Sequence, residues 1–187
     1  MIELFKAMEN IQKLDFETKE LIKLSFIEER FNKEATIVAQ GKVCEKIYFI
    51  KSGVVRRFYI EDDKEIVSWI YTENQFFTSL SSYFEQKPSF EIFTACEETI
   101  VYSLFFKDEL KLLNYPVFAQ FHIKFLRIYL SKLNEFHHVF RFMSAQEKYG
   151  FLLRSFPDII KKAKLKHIAS LIGVSQETLS RIRAAII

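Results

Sequence analysis

Glycine is scarce in this chain, with four in 187 residues. So little of it leaves no material for a glycine-rich phosphate cradle, and neither a Walker loop nor a nucleophile elbow occurs. Cysteine is rarer still. Cys44 and Cys96 have no CxxC neighbour, and two thiols cannot fill a four-cysteine zinc or iron–sulfur site. Buried free thiols are the expectation. Histidine is confined to His122, His137, His138 and His167, with none between 31 and 105, the stretch read below as strands. A barrel-borne metal centre needs two or three imidazoles beside a carboxylate, so this argues against a metal-dependent oxygenase. No apolar run approaches the length of a membrane span. The opening Met1–Lys6 segment lacks the basic-then-apolar layout of a signal peptide. The expected compartment is therefore the cytoplasm, with no membrane partner. No catalytic residue, metal ligand or cofactor is assigned.

What the chain does have is apolar bulk. Hydrophobic residues make up 49% of it and phenylalanine alone supplies 21 positions, which rules out disorder and points to aromatic core filling. The length suits one large or two small domains. Residues 2–30 read as one or two helices, with Leu4, Phe5, Met8 and Ile11, then Leu21, Leu24 and Ile27, at helical spacing. From 35 to 105 the pattern turns to short β-branched and aromatic runs at 36–40, 46–51, 54–60, 66–71, 90–94 and 99–105. Gln40-Gly41, Ser52-Gly53 and Glu61–Lys64 punctuate them. Strands at this spacing predict a barrel or jelly roll. Helix returns at 107–113. A long helix follows over 116–140, with Pro116 suited to its start. Phe118, Phe121, Phe125 and Ile128 form one stripe on it; Leu126, Tyr129, Leu133, Phe136 and Phe140 form a second. One stripe would pack on the roll and leave the other for a partner helix, so a homodimer is expected. A further helix spans 145–163.

The last stretch carries the most chemistry. Ile168, Ala169 and Ile172 give a short apolar helical face, and Gly173 stands where the chain must turn. Val174 plugs the turn, and Ser175 can cap the next helix. On that helix Leu179 and Ile182 form the buried stripe, leaving Gln176, Glu177, Ser180, Arg181 and Arg183 as a polar face. Two short helices joined by a tight turn, the second carrying groups that read base edges, predict a helix-turn-helix and double-stranded DNA as partner. Charge is split accordingly. Residues 141–187 hold nine Lys or Arg against three Asp or Glu, whereas residues 1–140 hold eighteen against twenty-one.

Ile168 through Arg181 matches every fixed position of I-[AG]-x-x-[LIV]-G-x-[ST]-x-E-T-[LV]-[SG]-R, and so resembles the DNA-binding end of the Crp/Fnr family of bacterial transcription regulators. The order of helix, roll, long helix and helix pair resembles that family over nearly the whole chain. The implied fold is α+β: an N-terminal jelly-roll domain of the cyclic-nucleotide-binding type flanked by helices (1–113), a dimerisation helix (114–140) and an all-α DNA-binding domain (141–187). The resemblance assigns base reading to Glu177 and Arg181, with Gln176 beside them. Ser175 and Thr178 fall where a helix start holds phosphate, and Lys166, Ser180 and Arg183 complete the expected DNA-binding set. Relatives usually carry a β-hairpin wing after the reading helix, whereas this sequence ends at Ile187; phosphate contacts are then expected from the helix pair.

The ligand pocket departs from the family. Members that bind cyclic AMP use a Gly-Glu pair followed by Arg-Ser or Arg-Thr. Here Thr78 and Ser79 stand at the first pair, and Gln86-Lys87-Pro88-Ser89 contains no arginine. Lysine is not equivalent to arginine's planar fork. The expectation is a regulator that does not answer to cyclic AMP, with Thr78, Ser79, Lys87 and Ser89 as candidate contacts for an unidentified small-molecule effector. RNA polymerase is a further partner the resemblance implies. The alternative is a ligand-sensing protein-interaction module that does not bind DNA.

Overall fold

Residues 1–186 are described by the computed structural model. Two helices lead, α1 (Ile2–Glu9) and α2 (Phe16–Ser25), the second capped by Asp15, whose carboxylate accepts from the Thr18 N–H at 2.9 Å. Six strands follow: β1 (Ile27–Phe31), β2 (Thr36–Val38), β3 (Lys46–Ser52), β4 (Val55–Glu61), β5 (Lys64–Tyr71) and β6 (Phe76–Phe77). Next come helix α3 (Leu80–Glu85), strands β7 (Ile92–Ala95) and β8 (Thr99–Phe105), helix α4 (Phe106–Leu112) and the long α5 (Pro116–Phe142). The C-terminal part is α6 (Ala145–Ser155), α7 (Pro157–Lys162), α8 (Leu165–Ile172) and α9 (Gln176–Ile186).

The strands form two four-stranded antiparallel sheets, β1-β8-β3-β6 and β2-β7-β4-β5, the jelly roll expected from their spacing. Strand β3 shows why its middle, 47–50, is a continuous apolar run. Tyr48 and Ile50 face the roll interior, while Phe49 joins a second core formed with α1, α2, α4 and the start of α5. At the β3–β4 turn, Gly53 has φ +104°, and an added Cβ would lie 2.5 Å from Thr99 Oγ1, so only glycine fits there.

Three expectations change. Ile27, read with Leu21 and Leu24 as helical, instead opens β1 opposite Ser103; Leu24 is 84% exposed, so that spacing marks no buried face. The single helix expected over 145–163 is two. Pro157 lacks the N–H needed to continue α6, and Phe156 before it leaves helical geometry at φ −141°, ψ 54°. Finally, the second stripe of α5 is not left whole for a partner. Phe136 and Phe140 lie against Trp69, at centroid distances of 4.5 and 6.0 Å.

The main core does not stop at the roll. It runs from Phe58, Val67 and Trp69 through Tyr149, Leu152 and Ile159 to Ile168, Ile172 and Leu179. Helix α8 rests on β5, where the Val67 N–H, on an edge strand with no further neighbour, donates to Ser170 Oγ at 3.0 Å.

Candidate nucleic-acid interface and roll pocket

Helix α8 ends because Gly173 takes the left-handed conformation, φ 78° and ψ 38°. The Val174 N–H then reaches back to the Ala169 carbonyl at 3.0 Å. Ser175 Oγ accepts from the Thr178 N–H at 3.2 Å and so starts α9. Leu179 is fully buried and Ile182 half-buried on the inner side of α9. Ser175, Gln176, Glu177, Thr178, Ser180, Arg181 and Arg183 are all exposed on the outer side, and Lys166 is exposed on α8. Hydrogen bonding to Ser175, and to backbone, holds the Glu177 carboxyl below the usual range, so it stays ionised. Among the described residues, none of Lys166, Arg181 and Arg183 has a carboxylate within ion-pairing distance. All eight residues expected to meet DNA are thus exposed, seven of them from the start of α9 along its length and Lys166 on α8.

The other side of α8 meets the roll through charge. Arg56, 6% exposed, pairs with Glu65 and lies 3.7 Å from Glu34, which also pairs with Lys164 at 3.0 Å. Lys162 pairs with Glu73. Beneath them His167 is 3% exposed and its Nδ1 has no partner among the described residues. Burial lowers its pKa to about 4, helped by the cations of Arg56, Lys166 and Lys164.

Of the four candidate effector contacts, Ser79 and Ser89 come together inside the roll, while Thr78 and Lys87 find other partners. Thr78 Oγ1 donates to the Lys46 carbonyl at 2.8 Å. Ser79 Oγ lies 2.9 Å from Ser89 Oγ and donates to Glu91 Oε2 at 2.9 Å. Lys87 is exposed and pairs with Glu85 at 2.5 Å, away from this group. Two residues complete the cluster that the motif comparison did not name. Glu91 is buried, and the Arg57 guanidinium lies 3.4 Å from its Oε1 while donating to Ser68 Oγ at 2.9 Å. Strand alternation carried the signal, since Glu91 shares the inward parity of fully buried Phe93. Beside the cluster Tyr71, Phe77 and Phe93 stack on one another at 5.5 to 6.1 Å. Cys44 and Cys96 are free and buried.

Helix α5 exposes Ile123 (51%), Leu130 (62%) and Leu133 (41%) to solvent. Their spacings of seven and three are those of a coiled-coil seam. Among the described residues there is no grouping of three metal-ligating side chains, and no helix is long and apolar enough to cross a membrane.

Residues 28–115 match the family described as the cyclic nucleotide-binding domain. No curated protein matches the chain in sequence. Among solved structures, the catabolite activator protein of Thermus thermophilus is 21% identical with a TM-score of 0.59, over 96% of this chain and 86% of that one. FixK2 from Bradyrhizobium japonicum is 17% identical with a TM-score of 0.71, over 86% and 84%. CLP of Xanthomonas campestris, a c-di-GMP responsive global regulator, is 15% identical with a TM-score of 0.62, over 92% and 91%. At these identities the likeness is one of fold.

Proposed function

We propose that this chain is a homodimeric, sequence-specific DNA-binding transcription regulator of the Crp/Fnr type, whose roll does not respond to cyclic AMP. The observation that carries the reading is the outer face of α9. Its donors and acceptors are exposed and, among the described residues, its arginines are unpaired, over an apolar base anchored by Leu179. In this reading Gln176, Glu177 and Arg181 meet base edges. Arg181 can bond two acceptors of guanine, Glu177 can accept from the cytosine amino group, and Gln176 can pair with adenine. Ser175, Thr178, Ser180, Arg183 and Lys166 hold phosphates and fix the register. Helix α5 joins two copies along Ile123, Leu130 and Leu133, sparing them exposure to water. RNA polymerase and an effector complete the set of partners. The regulators of like fold support the reading.

The bet against cyclic AMP rests on the roll interior. The position where the family places a carboxylate for the nucleotide holds Ser79, which bonds to Ser89, and residues 86–89 supply no arginine. The one arginine turned inward there, Arg57, already faces Glu91. A cyclic phosphate entering the roll would compete with a fixed carboxylate for that cation.

A mobility shift with a salt titration on selected DNA tests the proposal. The expected outcome is a preferred, approximately palindromic site with half-sites about one helical turn, ~34 Å, apart, and affinity that falls steeply with salt. Binding with no sequence preference, or none at all, would leave the protein-interaction module as the better reading. Calorimetry with cyclic AMP is expected to show no micromolar binding. Leu130→Glu is expected to give monomers in sedimentation.

A further inference from the structure

We propose that the cleft between the roll and α5 binds a small aromatic monoanion. Its volume is about 220 Å³, room for a single ring with a short substituent and too little for a nucleotide. Trp69 and Phe76 wall it on the roll side, and Phe125 and Phe136 on α5. Flat apolar walls of this kind favour a flat apolar guest.

The sign of the guest's charge follows from the polar groups that line the cleft. Lys132 lines it and has no carboxylate within ion-pairing distance among the described residues. The hydroxyls of Tyr71 and Tyr129, which also line it, have no hydrogen-bond partner among the described residues. Burial pushes both phenols above their usual range, so each remains a neutral donor. The Arg57 guanidinium is close enough to act electrostatically on both tyrosines. No aspartate or glutamate lines the cleft. One free ammonium and two phenol donors suit one carboxylate, and the amides of Asn74 and Gln75, which also line the cleft, can add a donor. Arg57 adds little net charge, because Glu91 compensates it.

The cleft also touches the joint that carries the C-terminal helices. Phe136 packs 5.3 Å from Phe156, which separates α6 from α7, and Trp69 lies 5.2 Å from the same ring. A guest between these rings contacts the roll, the long helix and the support of the α8–α9 pair at once. Its meaning as an effector rests on the regulator reading; its binding does not.

Trp69 is the only tryptophan in the chain and a wall of the cleft, so its fluorescence reports occupancy in the full-length protein without DNA. The probe is 4-methylbenzoate, compared with toluene, 4-methylbenzylamine and cyclohexanecarboxylate. A saturable change in emission, matched by calorimetry, is expected for 4-methylbenzoate, with the other three at least about tenfold weaker. Lys132→Met and Tyr129→Phe are each expected to weaken 4-methylbenzoate several-fold without shifting the melting temperature by more than a degree or so. Toluene binding as tightly as 4-methylbenzoate would overturn the proposal, as would unchanged affinity in both variants, or no saturable change with any probe. Loss of DNA binding in the mobility shift would leave these results standing, so the two readings fail separately.

Discussion

Two arginines in this chain carry the same chemistry into opposite settings. Arg57 sits inside the roll against Glu91 and Ser68, in a cluster where Ser79 and Ser89 also find partners. Arg181 stands on the outer face of α9, exposed, among Gln176, Glu177 and Arg183. Burial explains the difference. A charge taken out of water must be compensated inside the protein, so the roll's polar residues are bonded to one another. On α9 water serves the same groups until something replaces it. A closed polar cluster therefore speaks for structure, and an open one over a rigid base speaks for recognition.

The sharpest way to break this contrast is to remove the carboxylate. Glu91→Ala strands Arg57 and takes an acceptor from Ser79. The expected loss is about 3 kcal/mol of stability in urea denaturation. Arg181→Ala should stay within about 0.5 kcal/mol of the parent. Equal losses would mean that the two clusters do not differ in kind.

The seam between the regions should respond to acid. The pKa of His167 is lowered from 6.5 to about 4 in the folded chain, so the unfolded chain binds its proton more readily. Stability from this group is complete above about 6.5 and is lost as pH falls toward 4, with a ceiling of about 3 kcal/mol. Thermal melts across that window should show the fall, and His167→Leu should flatten it. A variant with the parent's slope would place the acid sensitivity elsewhere.

The next effect separates base reading from phosphate holding within the C-terminal helix pair. If Arg181 reads a base, Arg181→Ala costs ~1–3 kcal/mol at the best site and relaxes preference at one position. Equal weakening on specific and random DNA would make it a phosphate clamp. The smallest change is expected from Lys166→Ala, which should weaken all sequences alike and flatten the salt slope by roughly one.

The turn at Gly173, the cap at Ser175 and the inward Leu179 were legible from the residues, because each is decided within four or five positions by backbone sterics and helical period. The strands of the roll were legible for the same reason: β-branched alternation and turn residues act locally. Pro157 carried the break between α6 and α7 in plain view, yet the apolar pattern around it suggested one helix. What stayed hidden depended on which surfaces meet. Ile27 became a strand only because β8 offered it a partner. Lys87 left the candidate pocket because solvent and Glu85 lay on its side of the turn. The second stripe of α5 divided when Trp69 claimed Phe136 and Phe140, leaving Leu133 exposed beside Ile123 and Leu130, which neither stripe included. The sequence by itself determined the kinds of element, their order and the polar face of α9, since these follow from short-range geometry. Only the tertiary structure decided that Arg57 faces Glu91 and that α8 rests on β5. Those contacts join residues tens of positions apart, and no local preference specifies them.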